Sequence, residues 1–372
     1  MARVLVLSFE FPPLGGGGGV VIEHLCNELS KKGHSFDVVT MGYKGLPKEE
    51  QVGACKVYRV PCLRAKKELS TPLELQSYLF SAFVKAEQLL LTNHYDLAHV
   101  HFIIPTGNLG FATKLVNRLP FIISTHGSDM PGYNPDRFGF LHKLLIPFWT
   151  LFVKNATVVT TPSESLRSLL LKSWKGDSTK VKAIPWGIDV RPAPKKKENR
   201  IVFAGRLFER KGAQYLVEAV KELNMKGWEV AIVGDGPMRK QLEAQAKGMP
   251  FVKFYGWLPR EKLQNLYDHS KIFVFPSTAE SFGMVLAEAM SAEMAVVTCN
   301  DSACPEVVGD AGILVPPKNH ESIRIALQKL MASPTEIARL GKKGRKRVLA
   351  KFAWPICAAA FDKIYTQTAQ KK

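Results

Sequence analysis

The sequence predicts an α/β protein made of two doubly wound parallel-sheet domains in series, and three observations carry that expectation. Short apolar, β-rich runs alternate with amphipathic stretches from end to end. A segment with two prolines and clustered charge, "VRPAPKKKENR" at 190–200, interrupts the alternation near the middle and reads as a linker with a hinge near residue 190. At 372 residues the chain exceeds one ordinary core, since a domain typically takes roughly 150 residues.

In the first half "RVLVLS", "FDVVT", "LAHVH", "PFIIST" and "ATVVTT" read as buried strands, with "VVIEHLCNELSKK" as the amphipathic helix after the first. In the second half "RIVFAG", "EVAIVG", "VKFYG", "KIFVFPS", "MAVVTC" and "GILVP" repeat the pattern, with helical segments between them. The βαβ alternation implies parallel sheets covered on both faces. Ligands of such sheets bind beyond the carboxyl ends of the strands, so the strand-end loops are where functional residues are expected.

Hydrophobic residues make up 46% and charged residues 23%, as in an average soluble globular chain, which argues against wholesale disorder. The run opening "MARVLVLSFEFPP" is too short for a membrane span and lacks a cleavage pattern, and no later run reaches the roughly 18 apolar residues of a transmembrane helix. The six cysteines show neither C-x-x-C pairing nor regular spacing, so neither a zinc site nor a disulfide framework is expected. A reducing, cytoplasmic location fits this, with the inner face of the membrane as an extension of it. Against 33 Asp+Glu the chain carries 51 Lys+Arg, a net +18 that favours acidic partners. Part of the excess lies in "RLGKKGRKRVLAK" at 339–351, read first as a solvated helix face and second as peripheral membrane contact.

The first strand ends in "FEFPPLGGGGGVVIEHL", where Gly16, Gly17 and Gly18 sit in a run of five glycines ahead of a helix. Such a turn lets the backbone approach an anion at a helix N-terminus. A dinucleotide fold is the rival reading, but Val20 occupies the third glycine position of G-x-G-x-x-G and the second strand ends in Val39-Thr40 rather than an acid. "STHGSDM" puts His126 and Asp129 at a strand's carboxyl end, and "HVHFIIPTG" does so for His99 and His101. The last two share a strand face, yet no third or fourth ligand accompanies them, so a core or acceptor-site role is expected rather than a metal. An imidazole in a strand-end loop suits sugar hydroxyls because it can donate and accept.

In the second half Arg206 follows a strand and Lys211 opens the next helix in "FAGRLFERKGAQYLVEAV". A guanidinium fork and a point-charge ammonium together suit a diphosphate. "FPSTAESFGMVLAEAM" at 275–290 places Glu280 in a loop and Glu288 inside a helix expected to start near Gly283. The rise puts the second acid roughly 7–8 Å along the axis. A diphosphate on the N–H groups of Gly283, Met284 and Val285 would leave one carboxylate for hydroxyls on either side. Sugar, diphosphate and nucleoside follow that order.

With these marks the sequence resembles a retaining family 4 glycosyltransferase of the GT-B fold, two Rossmann-like domains facing across a cleft. The resemblance runs through the glycine loop, "GHSFDVVT", "HGSD", "GID", "AGRLFERKG", "IVGDGP", "FYGWLPREKLQNLY", "PSTAESFGMVLAEAM" and "PEVVGDAGILVPP", with the E-x7-E spacing of Glu280 and Glu288 as its most specific mark. It implies an acceptor-binding domain at 1–189, a nucleotide-sugar domain at 190–350 and a final helix at 351–372 crossing back to the first domain. It implies that Glu288 takes the ribose, Glu280 the transferred sugar, and Arg206 with Lys211 the leaving diphosphate. His126 would contact the sugar, Gly16–Gly18 would close over the phosphates, the backbone near Leu258 would meet the base, and Ser281, Phe282, Gly283, Met284 and Val285 would line the donor. His101 and Asp129 are assigned to the acceptor. Trp186 stands where Asn commonly precedes Gly-Ile-Asp, "SAEMAVVT" lacks the usual Gly, and Ala303-Cys304 replaces a glycine pair.

The implied activity is metal-independent transfer of a hexose-type sugar to a hydroxyl of a glycan, glycolipid or small acceptor, with no cofactor and with retention of configuration. No D-x-D is present to clamp a metal. A glycosidase also uses two carboxylates but has no use for an Arg-Lys pair. A non-catalytic sugar-nucleotide-binding protein predicts loss of the site charges, and all four are present. Nucleic-acid binding lacks a recognition pattern with interleaved aromatics.

Overall fold

The computed structural model describes residues 1–67, 70–133, 135–190, 192 and 196–370, with backbone only at 135–144. Two compact units form, Met1–Gly187 with Trp354–Lys372, and Ile188–Ala353. They divide at 187/188 and 353/354, against expected boundaries at 189/190 and 350/351. Of the expected linker 190–200, residues 191 and 193–195 lie outside the described ones, and its end is already strand from Glu198.

The first unit runs β1 (Arg3–Leu7), α1 (Gly17–Ser30), β2 (Ser35–Met41), β3 (Glu49–Val52), β4 (Cys55–Val60), α2 (Pro72–Thr92), β5 (Leu97–His101), α3 (Gly107–Asn117), β6 (Phe121–Ser124), α4 (Pro135–Asn155), β7 (Val158–Thr161), α5 (Glu164–Ser173) and β8 (Val181–Ala183). Its sheet is ordered β3-β4-β2-β1-β5-β6-β7-β8. All pairings are parallel except β3 with β4, an edge hairpin. Sequence reading missed that hairpin because "EEQV" is charged and half exposed, without the buried run expected of a parallel strand. The strand order reverses between β1 and β5, so the crevice lies at their carboxyl ends.

The second unit runs β9 (Glu198–Ala204), α6 (Ala213–Lys221), β10 (Glu229–Val233), α7 (Arg239–Gln245), β11 (Val252–Gly256), α8 (Arg260–Asp268), β12 (Ser270–Phe275), α9 (Met284–Ser291), β13 (Ala295–Cys299), α10 (Cys304–Val308), β14 (Gly312–Val315), α11 (His320–Met331) and α12 (Pro334–Lys351). Its parallel sheet is ordered β11-β10-β9-β12-β13-β14, with the reversal between β9 and β12. Fully buried Ile201, Val202, Phe203, Ile272, Phe273 and Val274 on these two strands form its core.

The final helix, α13 (Trp354–Ala369), belongs to the first unit. Its Phe361 and Tyr365 are fully buried, and Asp362 accepts from His34 Nε2 at 3.0 Å. The basic stretch at 339–351 lies in α12, and its arginines are engaged within the unit. Arg347 donates to the carbonyls of Val307 and Glu306, both at 2.8 Å, and Arg345 to that of Ser291 at 2.5 Å. Cations committed to buried carbonyls are packing groups, which leaves the exposed lysines as the solvated face.

Candidate functional site

In the second unit the reversal point brings together the loops after β9 and β12. Gly212 holds a left-handed φ of +81°, and a Cβ there would sit 2.4 Å from the Pro276 carbonyl oxygen, so glycine alone lets the loops approach. Thr278 N then donates to the Arg210 carbonyl at 2.9 Å. The result sets Lys211 Nζ against Glu280 Oε1 at 2.5 Å, with Ser277 Oγ donating to the same oxygen at 2.8 Å. Both ionic side chains are about nine-tenths buried, at 12% and 10% exposure. A pair this dry persists only when its geometry and further hydrogen bonds offset desolvation, and the Ser277 hydroxyl supplies one. The Glu280 backbone is pinned too, its N–H donating to Ser302 Oγ at 3.0 Å and its carbonyl accepting from Ala303 N at 3.4 Å. Arg206 is exposed, its guanidinium 5.6 Å from the Phe208 ring centroid.

α9 starts where the sequence placed it. Gly283 is its N-cap in the left-handed region, and no side chain caps the helix. The first-turn N–H groups therefore keep their partial positive charge. Glu288 lies on the same helix, half-buried, and among the described residues its carboxylate has no hydrogen-bond partner. Burial pushes its carboxyl up to about 7, while Arg260 pulls it down and Asp189 pushes it up. Those two pair with each other at 2.6 Å. Phe282 is buried, its ring edge-on to Phe352 at 5.4 Å, so its side chain serves the core. Ser281, Met284, Val285 and Leu258 are half-buried.

In the first unit the loops after β1, β5 and β6 converge. His101 ends β5, His126 lies just past β6, and His101 Nδ1 is 3.0 Å from His126 Nε2. The His126 ring is sandwiched between Phe102, with centroids 4.2 Å apart, and Trp186, at 5.2 Å. Phe102 takes a left-handed φ of 71°, rare for a bulky residue and a mark of strain at a functional site. Burial holds His126 and His99 down to about 3 and His101 well below its ordinary value, so all three are neutral. Trp186, noted in the sequence only as a departure, is a wall of this sandwich.

His99 belongs to a separate chain of bonds whose direction its far end fixes. Thr160 Oγ1 donates to the Ile123 carbonyl at 3.4 Å, so it accepts from Ser124 Oγ at 2.7 Å. Ser124 in turn accepts from His99 Nε2 at 2.8 Å, leaving His99 Nδ1 to accept from Tyr365 at 2.7 Å. Both nitrogens of His99 are thus satisfied inside the fold. Among the described residues no group of three or more His, Cys, Asp or Glu is arranged to hold a metal.

Two expectations change here. Asp129, assigned to the acceptor, is buried, and its carboxylate accepts from the backbone N–H groups of Ile103, His126 and Gly127 at 2.8–2.9 Å. It shapes the loop that carries His126, and its oxygens are taken. The glycine run is only half a loop. Gly17 and Gly18 already lie in the first turn of α1, and Gly16 is its N-cap. Sequence reading also missed Glu10. Its Oε2 accepts from Gly16 N at 3.1 Å, so a carboxylate of the chain itself occupies the anion position of this helix. A Cβ on Gly18 would lie 3.2 Å from Glu10 Oε2 and 3.3 Å from His126 Nδ1, so both groups crowd the space over that glycine. An acid three residues past the end of β1, in the same strand-end loop as the glycines, is the signal that marks Glu10.

Residues 188–347 match the family model described as glycosyl transferases group 1, and residues 15–191 that of glycosyltransferase family 4. A glycosyltransferase of Methanocaldococcus jannaschii described as uncharacterized is 28% identical, over 98% of this chain and 97% of that protein. Among solved structures, sucrose-phosphate synthase from Thermosynechococcus elongatus superimposes with a TM-score of 0.87 at 22% identity, covering 100% of both chains. HepE of Anabaena, solved with UDP and glucose, gives 0.77 at 16%, covering 99% of this chain and 100% of that one.

Proposed function

The chain belongs to the group 1, family 4 glycosyltransferases and has the GT-B fold, and from that premise we propose that it moves a hexose-type sugar from a nucleoside-diphosphate sugar to an acceptor hydroxyl, with retention and without a metal. The observation that carries this reading is the Lys211–Glu280–Ser277 cluster at the reversal point of the second sheet. It offers an ammonium for a phosphate and a carboxylate for a sugar hydroxyl within one hydrogen bond of each other. The uncapped start of α9 supplies further N–H donors, and Glu288 suits the ribose hydroxyls.

As the anomeric C–O bond breaks, its electron pair passes to the diphosphate oxygen. Lys211, Arg206 and the α9 N–H groups stabilise that charge, which is the largest catalytic contribution expected. The acceptor oxygen attacks from the face the diphosphate leaves, and its proton passes to the leaving phosphate oxygen. Glu280 orients the sugar, and His126, in the first unit, suits a sugar hydroxyl. The acceptor is a glycan, a glycolipid or a small hydroxyl compound. Among the described residues no helix is long and apolar enough to cross a membrane.

A panel of UDP-, GDP- and ADP-sugars tests the donor assignment by thermal shift with and without Mg²⁺. A donor at 100 times its Kd adds about 2.7 kcal/mol of stability, so one of them should raise Tm by several degrees, equally in EDTA. Silence across the panel would sink the assignment. Lys211→Ala and Glu280→Ala should each lower turnover on the order of 10²-fold or more. Unchanged turnover in both would defeat this mechanism, whatever the fold.

A further inference from the structure

The two histidines of the first unit share one proton position. His101 Nδ1 and His126 Nε2 stand 3.0 Å apart, so one of these nitrogens carries the hydrogen and the other accepts it. Two arrangements satisfy the pair, and they differ in what they leave at the outer nitrogens. If His126 donates, His101 bears its hydrogen on Nε2, which is buried and has no partner among the described residues. An orphaned buried N–H is rarer and costlier than an unsatisfied acceptor. If His101 donates, its Nε2 is a bare acceptor and the penalty is smaller. His99 offers no escape, for its ring is tilted 35° against that of His101, with centroids 4.1 Å apart, and both of its nitrogens are already bonded.

Glu10 favours the same choice. Its Oε2 and His126 Nδ1 crowd the same point over Gly18. With the hydrogen on Nε2, His126 would show that space a lone pair beside a carboxylate, two acceptors facing one ligand. With the hydrogen on Nδ1 the space is bounded by one donor, one acceptor and the edge of the Phe102 ring, whose Cζ is 2.9 Å from the same point. A hydroxyl needs that pairing, because it accepts from one group and donates to another.

We propose that His101 is a positioning residue that fixes His126 as its Nδ1–H tautomer, so that His126 donates, and Glu10 accepts, at a hydroxyl-binding position over the first turn of α1. The ligand class is a polyhydroxyl compound, a sugar or cyclitol, and the assignment of that ligand to the transfer reaction rests on the function proposed above. Phe102 and Trp186 hold the imidazole plane, and His101 sets which nitrogen carries the proton.

The test is long-range ¹H–¹⁵N correlation on the full chain with ring-labelled histidine and no ligand, the His126 signals being assigned by their loss in His126→Gln. A pyrrole-type Nδ1 and a pyridine-type Nε2 are expected for His126. His101→Leu should move His126 toward the other tautomer and lower NDP release from UDP-glucose, GDP-mannose or ADP-glucose, whichever the screen selects, by about tenfold or more. His101→Asn keeps an amide N–H near the Nδ1 position and should restore both the tautomer and most of the rate. It also keeps the test decisive should the leucine variant not fold. A native His126 protonated at Nε2 overturns the proposal, as does a rate loss in His101→Leu with the tautomer unchanged. Failure of every donor with the tautomer as stated defeats the transfer reading instead, and leaves the lock in place.

Discussion

Near neutral pH the carboxyl at Glu288 is about half protonated, because burial has moved it from 4.5 up to about 7. The unfolded chain releases this proton near the ordinary value, so the folded state binds it more tightly through the window between. The group's stabilising contribution is full below 4.5 and lost as pH rises through 7, a swing on the order of 3 kcal/mol. Glu288→Gln removes the titration. Urea unfolding should show the native chain losing stability between pH 5 and pH 8 relative to this variant, and parallel curves would refute the burial account. Neither His126 nor His101 contributes to that window, since both stay neutral across it. Glu280 and Glu288 were legible at this scale because their spacing straddles a helix start. Glu10 was less so: its place in the glycine loop is a local signal, but its fold-back onto Gly16 is not.

α9 is a short helix, and its two ends are built differently. Its start is open, while its finish is closed by a pair of bonds, Met294 N to the Ala289 carbonyl and Glu293 N to the Met290 carbonyl, both at 3.0 Å. This is a Schellman motif, whose turning residue takes the left-handed conformation and is usually glycine. Here it is Glu293, with φ 56°. Its ion pair to Arg345 is long, at 3.7 Å, and offsets little of the strain. Glu293→Gly should therefore stabilise the chain by about 1 kcal/mol, read as a higher urea midpoint at unchanged slope. A lower midpoint would mean that the Arg345 contact outweighs the backbone. The missing glycine was visible in "SAEMAVVT", but whether it meant another turn or a strained one needed the dihedral. The glycine run departs from the expected loop for the converse reason. Glycines are poor helix formers, yet Gly17 and Gly18 are helical because the buried stripe of Val21, Ile22 and Leu25 draws the turn onto the sheet.

The alternation of strands and helices made both sheets legible, since buried parallel strands are continuous apolar runs. The hairpin of β3 and β4 was less so, for want of an apolar run, and the return of α13 to the first unit was expected from the resemblance alone, because sequence separation hides its partners. Removing 354–372 should selectively damage the first unit. It would strip Phe361 and Tyr365 from a closed core, and each buried side chain of that size contributes roughly 2–3 kcal/mol. Hydrogen exchange should then accelerate in α1, β1 and β5 while β9 and β12 keep their protection, and uniform loss across both units would contradict this division.

The pairing of Lys211 with Glu280 bears on discrimination between anions. A bare lysine at a helix start would take up orthophosphate or any loose polyanion, and a chain with +18 net charge meets many of them. A lysine already matched by a carboxylate is electrically quiet toward such ions. A ligand that engages both groups, offering hydroxyls to the acid as it brings phosphate to the base, exchanges one set of bonds for another. Under the proposed function the pair filters by composition, favouring sugar and phosphate joined in one molecule over either alone.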